Sequence, residues 1–183
     1  MSARMMSRLA CVVGIAICTF GYSRCSFVSN PGGIPADPGM PGSNGVFVTT
    51  LTLHDSSGTE TTNFVMGEPI RFDLEGLNRD AQPRTLQFSD AQIYEFYIFD
   101  AGTRQIRWRW AADKDFPQVL TQLNFMANSS KLYSVGWDGV LSDGTQLPAG
   151  SYLARGIFVA DGYTGDPLAA NELASDLVTF TVR

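Results

Sequence analysis

The sequence predicts an all-β sandwich of about eight or nine strands, and three observations predict it. Apolar side chains recur with a period of two in most segments from Val46 to the end of the chain. Gly, Pro, Asn and Asp punctuate those segments at short intervals. No stretch longer than about ten residues carries convincing helical periodicity. The 183 residues are 44% hydrophobic and include twelve Phe, six Tyr and three Trp. That is enough large apolar surface for a core without covalent staples.

The strands follow in order. VFVTTLTL (46–53) is rich in β-branched residues, and a polar loop, HDSSGTETTN (54–63), follows it. PIRFDLEGL (69–77) sets Ile70, Phe72 and Leu74 on one face against Arg71, Asp73 and Glu75. LQF (86–88) is short. QIYEFYIFD (92–100) alternates Tyr94, Phe96 and Ile98 with Ile93, Glu95, Tyr97 and Phe99. Glu95 makes the second set the expected outer face. QIRWRW (105–110) places Ile106, Trp108 and Trp110 on one face, with Arg107 and Arg109 on the other. Phe116 to Phe125 is ambiguous. KLYSVGW (131–137), SYLARGIFV (151–159) and LVTFTVR (177–183) complete the set. Asp100-Ala101-Gly102, Asp138-Gly139, Asp143-Gly144 and Pro148-Ala149-Gly150 supply turn chemistry between strands.

The first 45 residues are organised differently. Arg4 and Arg8 precede a 12-residue apolar run, Leu9 to Phe20, which reads as an export signal. The run is short for a membrane span, which needs roughly 20 residues. Residues 26–45 hold four Pro and five Gly, a composition that suits a flexible linker. The three cysteines, Cys11, Cys18 and Cys25, all lie before Ser26. The body therefore has no disulfide and no thiol nucleophile. Cys25 is a candidate lipidation site, although Arg24 fits poorly before it. The expected location is outside the cytoplasm: periplasmic, extracellular or tethered as a lipoprotein.

Charge excludes one class of partner. Residues 26–183 carry 10 basic and 18 acidic groups, net −8, and such a body repels a phosphate backbone. Catalysis finds little footing. His54 is the only histidine, in a Ser-rich loop with no nucleophile elbow and no clear third partner. No phosphate loop or dinucleotide fingerprint is present, so no enzyme and no cofactor is expected. Asp138 to Asp143 could offer oxygen ligands to Ca²⁺, but two Asp side chains fit turn chemistry better, and no metal site is expected.

One constellation remains. Gly67 with Ile70 and Phe72 is followed by Phe88, Ser89, Gln92, Tyr94 and Phe96. Then come Asp100, Trp108-Arg109-Trp110, and Phe116 with Gln118 and Leu120. Trp137, Asp138-Gly139 and Pro148-Ala149-Gly150-Ser151-Tyr152 end it. In order and spacing this resembles the intracellular proteinase inhibitor (BsuPI) family over roughly residues 66–159. The resemblance implies an immunoglobulin-like antiparallel β-sandwich that inhibits a cytoplasmic subtilisin-type serine protease. An exported chain would not meet that target, so the partner is expected to be another protease of this class or a protein of the cell envelope. The contact is expected in the loop from Ala111 to Pro117, through Lys114, Asp115, Phe116 and Pro117, or in the 138–147 hairpin. The alternative is a non-inhibitory interaction or scaffold module of the envelope. Trp108, Arg109 and Trp110 are candidate recognition residues, but alternation assigns both rings to the core and Arg107 and Arg109 to the outer face.

Overall fold

Runs of alternating β-branched and aromatic residues pair into ten strands in the computed structural model, which describes residues 46–183. In chain order these are β1 (Phe47–His54), β2 (Asn63–Phe64), β3 (Ile70–Asn78), β4 (Arg84–Phe88) and β5 (Tyr94–Asp100). They continue with β6 (Ile106–Arg109), β7 (Thr121–Phe125), β8 (Ser130–Trp137), β9 (Gly150–Phe158) and β10 (Val178–Val182). No helix occurs among the described residues. The segments expected to be an export signal and a linker, and Cys25, lie outside them.

The fold is an immunoglobulin-like sandwich. One layer is the sheet β1-β3-β8, and the facing layer is β2-β10-β9-β5-β6, with β4-β7 as a separate two-stranded pair. Pairing is antiparallel except for β2, which runs parallel to β10 through Thr181↔Asn63 and Val182↔Phe64. Leu51 pairs with Leu74, and Leu74 with Tyr133, so one face of the smaller sheet is continuously apolar. Phe72 of β3 lies 5.5 Å from Phe96 of β5, ring to ring across the layers. Phe47, Phe125 and Phe158 meet edge to face at 4.9 to 6.2 Å. Each fully buried Phe contributes about 1.5–3 kcal/mol. Gly76 lets the layers close: a Cβ there would stand 2.8 Å from Phe158 and 2.9 Å from Phe47.

Two expectations fail on the larger sheet. Glu95, Tyr97 and Phe99, assigned above to the outer face, are buried. Residues beyond β9 fold back over that face, so Tyr97, Phe99, Leu153, Ile157 and Ala174 form a second apolar cluster. Arg155 on β9 fastens this cover, donating to the carbonyls of Pro167 at 3.0 Å and Ala169 at 2.9 Å. Ile106, expected inside with Trp108 and Trp110, is 52% exposed. The reason is a register shift: Ile98 faces Trp108 while Phe99 faces Ile106, so β6 has one extra residue. A bulge of that kind breaks the alternation of faces.

Two strands carry no clear period-two signal in the sequence. β2 lies within the polar 54–63 stretch and its continuation, and β7 lies in the ambiguous segment. His54 is also placed differently from expectation. It ends β1 with its side chain 15% exposed, Nδ1 standing 3.2 Å from Asp73 Oδ2 without the alignment of a hydrogen bond. The Ser57 hydroxyl donates to Asp55 Oδ1 at 2.6 Å rather than to His54.

Candidate protease-contact face

The edge strands β6 and β8 belong to opposite layers, and tryptophans close the seam between them. Trp108 of β6 lies over Trp137 at the end of β8, ring centroids 4.7 Å apart, and over Phe72 at 5.7 Å. Trp110 rests on Tyr94 at 4.8 Å. Trp108 and Trp110 are half-buried against the core. A groove of about 690 Å³ opens beside them, lined among others by Trp108, Trp110, Trp137, Lys114, Asp138 and Leu141. Both loops that the sequence singled out border this groove.

The first loop leaves β6 at a buried carboxylate. Glu95 is 0% exposed and accepts from four donors: Arg109 Nε at 2.6 Å, Ala111 N at 2.9 Å, Phe96 N at 3.1 Å and Gln92 Nε2 at 3.3 Å. The Glu95 hydrogen bond raises the Arg109 pKa above its ordinary value, the largest of several influences on it. Arg109, expected on an outer face, therefore serves as the counter-ion of a buried acid. The Ala111 bond fixes where the loop begins. Lys114 Nζ then lies 5.0 Å from the Trp110 ring centroid, and the Phe116 ring lies 5.9 Å from it. Phe116 is half-buried, while Lys114, Asp115 and Pro117 are exposed. Pro117 O accepts from Ala91 N at 3.0 Å, a second tether. From Lys114 to Leu120 the backbone has no regular structure.

The second loop is a closed hairpin. Leu141 N donates to Thr145 O at 2.8 Å, and Leu147 N to Gly139 O at 2.8 Å. Leu141 and Leu147 are buried, and the Trp137 indole donates to Val140 O at 2.8 Å. Gly139 and Gly144 take positive φ, at 78° and 81°, as the tight turns require. Asp138 and Asp143 accept from Val140 N and Thr145 N, so both serve turns. Among the described residues no cluster of three or more His, Cys, Asp or Glu side chains could hold a metal ion.

Asp143 gives this hairpin a pH dependence. Its fully exposed carboxyl is held below the usual Asp range, first by the Thr145 hydroxyl and then by Thr145 N–H. A carboxylate with a depressed folded pKa stabilises the fold above its unfolded pKa, and the gain disappears as pH falls through the folded value. The Asp143 carboxyl resonance is therefore expected to titrate below the value of an unstructured Asp, which is about 3.9. Thr145→Val should move it part of the way toward that value, because the Thr145 N–H bond remains, and an unchanged midpoint would remove the hydroxyl as cause.

The family model for the intracellular proteinase inhibitor (BsuPI) matches residues 57–163. The chain belongs to the BsuPI family. The match spans both loops and the groove, and it describes an inhibitor family, in keeping with a chain read as no enzyme. No curated protein matches this BsuPI chain. Among solved structures it is similar to the C-terminal domain of wzt, at 10% identity over 76% of this chain and 74% of that one, TM-score 0.47. A β-glucosidase from Erythrobacter marinus matches at 11% identity and TM-score 0.41, over 75% of this chain and 15% of the glucosidase. A CARDB domain from Pyrococcus furiosus matches at 9% identity and TM-score 0.38, over 75% of this chain and 94% of the domain. Likenesses this distant assign no activity to the BsuPI domain.

Proposed function

We propose that this domain blocks a serine protease of the subtilisin type by laying the connection between β6 and β7 across the substrate cleft. One observation carries the reading. The connection is irregular from Lys114 to Leu120 and exposed there except at Phe116, yet Glu95 ties its start and Ala91 ties its middle. A loop ordered before binding loses little entropy when it binds, which favours affinity. Extended backbone can pair with the strands that flank a protease cleft, and Pro117 biases Phe116 toward extended geometry. The 138–147 hairpin is closed on itself and acts as a buttress and secondary contact. The N-terminal basic and apolar segment supports a target outside the cytoplasm, with residues 26–45 as a spacer and Cys25 as the candidate lipid anchor.

The purified full chain should be titrated against subtilisin, chymotrypsin and trypsin while its own integrity is followed. Saturable inhibition near one-to-one stoichiometry, with the chain intact, is the expected result. A folded chain that inhibits none of them at large excess would leave the envelope-module reading in its place.

A further inference from the structure

Large apolar side chains held in water are costly, and the most exposed of those in this domain lies at the end of the connection between β6 and β7. Leu120 is 85% exposed and Val119 beside it 60%. Neither is left loose. Pro117 O accepts from Ala91 N at 3.0 Å and from Val119 N at 2.9 Å. The Thr121 hydroxyl donates to Val119 O at 3.0 Å. Thr121 itself opens β7 and pairs with Phe88 of β4, whose ring is buried in the core. A leucine is thus held out from the surface by backbone fixed on both sides. Packing does not explain it, since a side chain this exposed contributes almost no buried area.

We infer that Leu120 is the primary specificity residue of the inhibitor, the side chain that enters the apolar specificity pocket of the target protease, with Val119 packing at its rim. The inference rests on the inhibitor reading above and names what that reading leaves open, the pocket chemistry of the target. It also moves the point of contact beyond Lys114, Asp115, Phe116 and Pro117. Lys114 and Phe116 set the segment against Trp110 and Pro117 O ties it to Ala91 N, while Leu120 makes the insertion. Serine proteases differ in this pocket, which is a hydrophobic slot in chymotrypsin and carries an Asp in trypsin. A leucine suits the first and leaves the acid of the second unpaired.

The test is a change of specificity. The full chain and its Leu120→Lys and Leu120→Ala variants are titrated against subtilisin, chymotrypsin and trypsin, with melting temperature as the folding control. The wild type is expected to inhibit an apolar-pocket protease more tightly than trypsin. Leu120→Lys should lose about 30-fold or more on that enzyme, the scale of an interface hot spot, and gain on trypsin. Leu120→Ala should lose on the first without the gain. Melting temperatures should match, because the side chain is almost fully in water. Unchanged inhibition by both variants would overturn the assignment of Leu120 and leave the inhibitor reading standing. A folded wild type that inhibits none of the three would overturn both.

Discussion

Arg109→Ala is expected to destabilise the domain by about 3 kcal/mol, although its side chain is close to half exposed. The effect arises on the other partner. Glu95 is fully buried, and without Arg109 its charge keeps only three uncharged donors: Ala111 N, Phe96 N and Gln92 Nε2. Taking one partner from a buried pair leaves an uncompensated charge, which costs more than the pair contributes to stability. Glu95→Gln removes the charge and retains an oxygen for the two backbone donors, so it should cost less, about 1–2 kcal/mol. The decisive measurement is a double-mutant cycle by denaturant unfolding. In the Glu95→Gln background, Arg109→Ala should cost under about 1 kcal/mol, because no buried charge remains to be orphaned. Equal costs in the two backgrounds would mean that Arg109 stabilises by packing its stem alone. Because Ala111 N shares the carboxylate, Glu95→Ala should also weaken inhibition at temperatures where the variant is fully folded.

Glu95 marks the limit of what alternation conveys. In QIYEFYIFD the period of two is visible, and the face bearing Phe96 and Ile98 is the core face that it indicates. A single Glu then suggested that Tyr97 and Phe99 faced water. What buries them lies more than fifty residues later, in the segment after β9 that brings Ala174 against Ile157. Local pattern cannot report a cover supplied by distant chain, nor that an acid has found a counter-ion fourteen residues away. Ile106 failed for another reason. The expectation assumed unbroken alternation along β6, and the extra residue opposite Ile98 and Phe99 turned it outward. β2 spans two residues, too few for any periodicity. The two loops were legible because Asp-Gly turns and the Phe116-Pro117 pair carry their own chemistry. That they share a groove was not, since that depends on edge strands of opposite layers meeting through Trp108 and Trp137.

Trp137→Ala is expected to cost about 3–5 kcal/mol and to detach the 138–147 hairpin from the sandwich. The ring is 6% exposed and packed on Trp108, with Phe72 at 6.4 Å, so its removal leaves a cavity where the two layers meet. The indole also carries a polar tie, Nε1–H to Val140 O at 2.8 Å, through which the hairpin is held to the core. Trp137→Phe separates the two contributions. It retains most of the apolar contact and removes the donor, and it should cost roughly 1–2 kcal/mol, part of it from the smaller ring. Amide hydrogen exchange reads the consequence locally. In Trp137→Phe the amides of Leu141 and Leu147, which close the hairpin onto Thr145 and Gly139, should lose protection more than those of β3 or β9. Uniform loss across the domain would instead make Trp137 a core residue with no particular hold on the hairpin. The distinction bears on function. If the hairpin buttresses the segment from Lys114 to Leu120 across the groove, loosening it should weaken inhibition in a variant whose sandwich is still folded.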